Sequence, residues 1–499
     1  MAYRDLREFL SKLEERGQLV RPSVELESGF EISSLMWELA DRQGPAMLFK
    51  IKGYDIPVVM NTHGTMERNC MGLGLEPKET FRENFLAIRN RIAELLEDKS
   101  QWLKPTEVKT APCQEVVITG DDVDLYKLPV FKWSPLDGGP YITLTNIITK
   151  DPISPGYRQN TGMYRVMIHD KNTTGVMCCA TQDIGIHVAR ARAKGMKTIP
   201  LAIALGVDPV INICSTTKMG SFLDDEFEFA GGLRGEPVEM VKGKTIDLLV
   251  PATAEIIIEG ELDIQPENAK IEGTFAEWMG YYEEPMMLPQ FHVTAITHRR
   301  DPIYQSCILG HPNNEGEMIR MPVIQANNYN ILKKTVVGFR EFWAPHKSRG
   351  YKVIVQVNKH YPGWGKQAGL QAISTGQGFA AANYVVVVDQ DIDIFNTEEV
   401  DWAIATRMDP AEDVILLPKV GVYPLNPAGS DRTDVDQVSG YTEFTYCGKM
   451  VIDATKKIAS ENRRPTSIPV VPDREAFKQV LAKWDDYGLA KWTKVKDIY

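Results

Sequence analysis

Apolar residues in the first hundred positions recur with two periods, one helical and one extended. Leu6, Phe9, Leu10 and Leu13 fall on one helical face, and Gly17 marks its stop. Ile32, Leu35, Met36 and Leu39 define a second helix that ends near Gly44-Pro45. Short strands are expected at 46–49 and 56–60, and a long helix over 79–97 turns Phe85, Ile88, Ile92 and Leu95 inward. The polar stretch 97–110, with Pro105 inside it and Pro112 beyond, reads as a linker. From Cys113 to Ala295 short β-branched runs dominate: 115–119, 141–149, 164–168, 210–214, 246–250, 255–259 and 291–296. Turns such as Asp137-Gly138-Gly139-Pro140 separate them, and a helix is expected over 187–195. That texture predicts a β-rich, barrel-like domain. The last third returns to α/β, with buried parallel strands at 351–357 and 384–388. The second strand runs into Asp389, Asp391 and Asp393, which either serve a site at its C-terminal end or cap the helix expected at 398–406. His360 to Gly365 reads as a rigid loop, and a tail helix is expected over 477–487.

A chain of 499 residues is longer than one core usually serves, so two or three domains are expected. Its 43% apolar and 25% charged residues are ordinary for a soluble globular protein. A net charge of -11 and a pI near 5.4 argue against nonspecific nucleic-acid binding. No apolar run reaches the length of a membrane span, and the N-terminus lacks a signal-peptide core, so a cytoplasmic protein without a membrane partner is expected. The seven cysteines form no CxxC pair and are irregularly spaced, which suggests neither a zinc site nor a disulfide framework. Most of them read as small buried fillers. No GxGxxG lies in a strand-turn-helix setting, which disfavours a dinucleotide-dependent oxidoreductase.

The densest chemistry lies in Ile271-Glu272-Gly273-Thr274-Phe275-Ala276-Glu277, continued by Trp278-Met279-Gly280-Tyr281-Tyr282. Two carboxylates stand in an apolar stretch broken by glycines. Upstream, Asn160-Thr161-Gly162-Met163-Tyr164-Arg165 supplies an arginine. An arginine between two partly desolvated carboxylates can hold an acid substrate beside a proton donor. The same trio can also be a purely structural buried ion network.

Across nearly its whole length the chain resembles the UbiD family of reversible, non-oxidative decarboxylases. The similar segments are 160–165, Glu226 to Gly235, Val250 to Gly260, 271–277, Asp391 to Asn396 and Trp402 to Arg407, in order and spacing. The resemblance implies a central split β-barrel flanked by α/β regions. The expected division is 1–112, 113–325 for the cofactor-binding barrel, 326–470 for the C-terminal α/β domain, and a helical tail at 471–499. It also implies prenylated FMN, with the phosphate held through a divalent cation, usually manganese, and potassium nearby. Substrates would be aromatic, heteroaromatic or α,β-unsaturated carboxylic acids, with carbon dioxide as co-product. A flavin prenyltransferase would supply the cofactor, and a homodimer or homohexamer is expected. The alternative is a catalytic or scaffold subunit of a multisubunit aromatic carboxylase.

Residue by residue, Arg165 matches the family's catalytic arginine, Glu272 the carboxylate that orients it, and Glu277 the proton-handling acid. Glu277 must then hold a proton near neutral pH, which burial or neighbouring carboxylates favour. Asn160 and Glu226 match two cation ligands. The third is normally a histidine, and here the chain departs from the family. Spacing favours Gln182 or Asp183, with Asp183 preferred, whereas His187 has the expected chemistry but sits late. An Asp would suit magnesium or manganese. Backbone donors at Met163, Tyr164, Arg165 and 181–184, together with Gln182, are candidates for holding the phosphate. Lys449 either adds charge to that site or is a solvated surface lysine. Trp278, Met279, Tyr281 and Tyr282 either pack against flavin or substrate or belong to the core.

Overall fold

The computed structural model describes residues 3–154, 159–178, 182–217, 224–311, 313–374, 382–422, 425–429, 434–435, 443–461 and 474–490. At its centre is an antiparallel sheet that runs, in order, through Tyr141–Ile142, Val166–Asp170, Thr173–Val176, Gln290–His298, Ile256–Asp263, Thr198–Leu205, Asn146–Lys150 and Gln159–Gly162. Val116–Thr119 adds to Gln290–His298 from the side. No pairing joins the two ends among the described residues, so the barrel is split. Both faces of this sheet are covered. Ile256 and Ile258 enter one core while Ile257 enters another, and Leu201, Ile203 and Leu205 are divided from Ala202 and Ala204 in the same way. Two buried faces are why these strands read as continuous apolar runs rather than alternating ones.

The N-terminal region is α/β as expected. The helix Leu6–Glu15 buries Leu6, Phe9, Leu10 and Leu13, and Asp5 caps it by accepting from Glu8 N at 3.0 Å. The helix Phe81–Glu97 begins with a capping box between Thr80 and Glu83. The C-terminal sheet has the order Phe339–Trp343, Lys352–Val357, Tyr384–Asp389, Glu443–Asp453 and Val414–Val422, with the middle three strands parallel.

Several expectations are corrected. Residues 210–214 form no strand but part of the helix Pro209–Cys214. Asp208 accepts from Val210 N at 2.8 Å and Ile211 N at 3.4 Å, and Pro209 sits in the first turn, so cap chemistry overrides the β-branched run. The stretch 97–110 is not a free linker, because Thr106–Val108 pairs in parallel with Glu239–Lys242. The run 141–149 is broken in two at Leu144, which adopts φ +54°. The helix expected from 187 starts earlier, at Asp183, and ends at Ala193. The carboxylates after Tyr384–Asp389 do not cap the helix Thr397–Arg407; Asn396 does. Asp391 instead takes a two-nitrogen fork from Arg407, at 3.2 and 2.8 Å, and Asp393 pairs with Arg82 at 2.7 Å. The short helix Met66–Gly72 had no periodic signal of its own. The tail helix spans Arg474–Ala482.

Candidate active site

Arg165, Glu272 and Glu277 meet. Arg165 immediately precedes the strand Val166–Asp170, and Glu272 ends the strand Lys270–Glu272, which contacts the neighbouring Thr173–Val176. Arg165 Nε and Nη2 donate to the two oxygens of Glu272 at 3.0 and 2.6 Å, and Nη1 donates to Glu277 Oε1 at 2.5 Å. All three are buried, Glu272 completely. Burial by itself opposes the charge on Arg165. The two carboxylates overcome it and hold the guanidinium pKa well above its ordinary value. One cation between two anions leaves the cluster one negative charge in excess.

Glu277 sits in a tight turn. Its N–H donates to Tyr281 O at 3.0 Å, and its own carbonyl accepts from Gly280 N at 2.9 Å. The loop before it is pinned by Asp137, which accepts from Trp133 N at 3.0 Å and Ser134 N at 2.8 Å through one oxygen, and from Ala276 N at 3.1 Å through the other. Burial raises the Asp137 pKa, against the pull of those N–H donors. Gly138 lets the two loops touch: a Cβ there would lie 1.8 Å from Gly273 O, and its N–H donates to Thr274 O at 2.7 Å. Sequence reasoning read Asp137-Gly138-Gly139-Pro140 only as a turn. The carboxylate at its head was the available signal that it braces the acid loop.

A second polar cluster forms around Tyr164. Asn160 lies on the edge strand Gln159–Gly162, while Asp183 and Glu226 each open a helix, Asp183–Ala193 and Glu226–Arg234. Glu226 Oε2 accepts from Thr161 N at 3.3 Å. Tyr164 borders the same cluster: burial, then the charges of Asp183 and Glu226, push its hydroxyl well above the usual tyrosine range. Gly162 makes room for that ring, since a Cβ would stand 2.3 Å from the Tyr164 hydroxyl.

The remaining candidates divide. Met163 N already donates to Ser215 O at 3.0 Å, and Tyr164 N to Thr145 Oγ1 at 3.3 Å, so neither backbone donor is spare. Gln182 precedes the helix Asp183–Ala193 without a side-chain cap bond, and 179–181 lie outside the described residues. His187 shares a hydrogen bond of 2.9 Å with Thr149 Oγ1, and burial lowers its pKa to about 4. Lys449 is not a solvated surface lysine: it is buried on Glu443–Asp453 of the C-terminal sheet, and desolvation lowers its pKa. Tyr281 and Tyr282 are exposed, whereas Met279 is buried.

Three family models match consecutive parts of the chain. They describe the N-terminal, Rift-related and C-terminal domains of 3-octaprenyl-4-hydroxybenzoate carboxy-lyase, over residues 10–88, 104–312 and 317–454. The chain belongs to the UbiD family. An uncharacterized protein of Archaeoglobus fulgidus is 35% identical over 506 residues, covering 97% of this chain and 99% of that one. Among solved structures, the closed form of Sedimentibacter hydroxybenzoicus vanillic acid decarboxylase is similar, with a TM-score of 0.83 at 31% identity, covering 97% of this UbiD-family chain and 99% of the other. The UbiD-class enzyme HmfF of Pelotomaculum thermopropionicum in complex with FMN gives a TM-score of 0.80 at 28% identity, covering 96% and 100%.

The residues suit the phosphate and cation that a UbiD-family site implies. Asn160, Asp183 and Glu226 offer hard oxygen donors. Glu226 is buried, and burial, then the charges of Asp183 and Asp225, push its pKa well above the carboxylate range. A bound cation would relieve both penalties. Two helix N-termini converge there, and such ends favour phosphate oxygens. Among the described residues, the Asn160 Nδ2 atom is buried without a hydrogen-bond partner. Among the described residues, no group of three or more His, Cys, Asp or Glu side chains is placed to hold a metal.

Proposed function

We propose that this UbiD-family chain is a reversible, non-oxidative decarboxylase of an aromatic, heteroaromatic or α,β-unsaturated carboxylic acid, dependent on prenylated FMN. The observation that carries the reading is the buried Arg165–Glu272–Glu277 cluster within a fold shared with decarboxylases. A related HmfF form was solved with prFMN, and the Sedimentibacter relative acts on vanillic acid. Asn160, Asp183 and Glu226 would hold the phosphate through Mn2+ or Mg2+, with K+ as a further ion. When bound, the modified flavin supplies the electron sink for the charge left on carbon as carbon dioxide departs.

The chain's own residues do the rest. Glu272 occupies Nε and Nη2 of Arg165 and fixes the guanidinium plane. Nη1 and Nη2 each keep one further N–H, the donors left to meet a substrate carboxylate. A substrate carboxylate bound there shares the Arg165 charge with Glu277. Glu277 stands beside those donors as the group that carries the substrate proton. That proton goes to the substrate carbon that has lost carbon dioxide. In carboxylation Glu277 accepts a proton from the same carbon. Burial of the cluster excludes water and strengthens each of these interactions.

No helix among the described residues is long and apolar enough to cross a membrane. A cytoplasmic homo-oligomer supplied by a flavin prenyltransferase completes the proposal. The test uses protein coexpressed with that transferase and offered a panel of carboxylic acids, with product mass and carbon dioxide as readouts. Full activity in flavin-free protein, or no turnover of any acid by the flavin-loaded chain, would refute it. Activity of the isolated loaded chain also separates this reading from a subunit of a multisubunit carboxylase.

A further inference from the structure

The Glu277 carboxyl is held from two directions. Oε1 accepts from Arg165 Nη1, and Oε2 accepts from the backbone N–H of Trp278 at 3.1 Å. The second bond depends on where the Trp278 main chain lies. Its indole is gripped by two groups from a later part of the chain. The guanidinium carbon of Arg320 stands 3.9 Å from the indole centroid, and the Tyr351 ring stacks on it at 6.0 Å with 19° between the planes. A planar guanidinium over an indole is a favourable and directional contact.

Both groups are themselves anchored. Arg320, on the helix Glu315–Thr335, donates from Nη2 to Glu317 Oε2 at 2.8 Å. Tyr351, just ahead of the strand Lys352–Val357, donates its hydroxyl to Leu425 O at 3.2 Å. Glu277 is thus carried by the central segment, while the backbone donor beside it is fixed from the C-terminal segment. Trp278 lies inside the short turn closed by Glu277 N to Tyr281 O and Gly280 N to Glu277 O.

We propose that Trp278 and Arg320 are positioning residues: their contact fixes the Trp278 N–H, and so sets the Glu277 carboxyl for proton transfer. The inference rests on the assignment of Glu277 as the proton-handling acid. The contact acts on Glu277 Oε2 and leaves the fork of Arg165 on Glu272 in place. Its effect therefore falls on kcat and spares KM and flavin content.

Trp278→Phe and Trp278→Leu both keep an apolar side chain smaller than the indole, but only phenylalanine keeps a π face for Arg320. With an acid turned over by the wild type, Trp278→Leu and Arg320→Met are each expected to lower kcat roughly 10- to 100-fold. KM should stay within about threefold, and flavin content should be unchanged. Trp278→Phe should recover most of the rate. The Trp278→Leu/Arg320→Met double variant should be no slower than either single one, as expected of two residues acting through one contact. Equal rates in Trp278→Phe and Trp278→Leu, or additive losses, overturn the proposal. Crystal structures provide a readout without turnover. The bond from the N–H at position 278 to Glu277 Oε2 should be lost in Trp278→Leu and kept in Trp278→Phe, and its survival in both overturns the proposal. A wild type inert toward the whole acid panel would overturn the decarboxylase reading, leaving the positioning claim to those structures.

Discussion

Arg165 spends two of its three nitrogens on Glu272, at 3.0 and 2.6 Å, and keeps one for Glu277. The arginine is therefore the element whose loss strands two buried carboxylates. Arg165→Met is expected to destabilise the apo protein by about 3–5 kcal/mol, the usual cost of leaving a buried charge unpaired. Urea unfolding measures it. Adding Glu272→Gln to that variant should recover part of the loss. A singly substituted protein as stable as wild type would mean the carboxylates find other partners.

The two glutamates are expected to separate by function. Glu277→Gln should fold and bind flavin normally yet lose roughly 10² to 10⁴ in turnover, because an amide cannot cycle a proton. Glu272→Gln should weaken substrate placement more than proton transfer. Hydrogen–deuterium exchange at the reactive substrate carbon distinguishes them in the flavin-loaded variants. Normal exchange and turnover in Glu277→Gln would remove it from the proposed role.

Cation binding should follow the oxygen donors rather than the nearby histidine. Glu226→Gln and Asp183→Asn are each expected to weaken Mn2+ retention at least about tenfold, as charge is removed from a small donor set. His187→Gln should leave retention unchanged, because His187 is engaged with Thr149. Metal content after dialysis, by elemental analysis, reads all three. Loss of metal only in His187→Gln would reverse the assignment.

His187 also makes a pH prediction. Burial lowers its pKa from 6.5 to about 4, so the unfolded chain takes up this proton before the folded one. Stability carried by the neutral ring is fully present above about pH 6.5 and is lost as pH falls towards 4. The effect is on the order of 3 kcal/mol at its limit. Buried carboxyls such as Asp208 and Glu315, with raised pKa values, oppose it. Subtraction isolates the histidine: relative to wild type, His187→Gln should gain stability steadily between pH 6.5 and 4.5. A difference that does not change with pH would contradict the burial argument.

Periodicity made the helix at Leu6–Glu15 legible because its buried residues repeat at helical spacing around a solvated face. It failed at Pro209–Cys214, where every residue is buried and no polar face marks the period. There the informative signal was Asp208-Pro209, a cap and a first-turn residue, rather than the β-branched run. The meeting of Arg165 with Glu272 and Glu277 spans 107 and 112 positions of sequence. No local pattern encodes a contact of that range; only family resemblance pointed to it. The grip of Arg320 on Trp278 left no signal at all, since a half-buried tryptophan and an arginine on a helix are individually unremarkable.

The strand Tyr304–Gln305 completes the N-terminal sheet beside Val58–Met60, and Thr106–Val108 does the same for Glu239–Lys242. The chain is therefore interlaced, and its segments are not equally exchangeable. A gene fusion that replaced only the first hundred residues would need matching edges for Tyr304–Gln305 and a new seat for Arg7, which grips Glu255 at 2.8 Å through two nitrogens. The C-terminal sheet has a different status. One face packs on a core of its own, from Leu332 to Val451 with Tyr329 against it, whereas Ile354, Val386 and Ile452 share a core with Phe85 and Phe229. An exchange of that segment among relatives would have to bring a matching face for Phe85 and Phe229, and it would also replace Tyr351 beside Trp278.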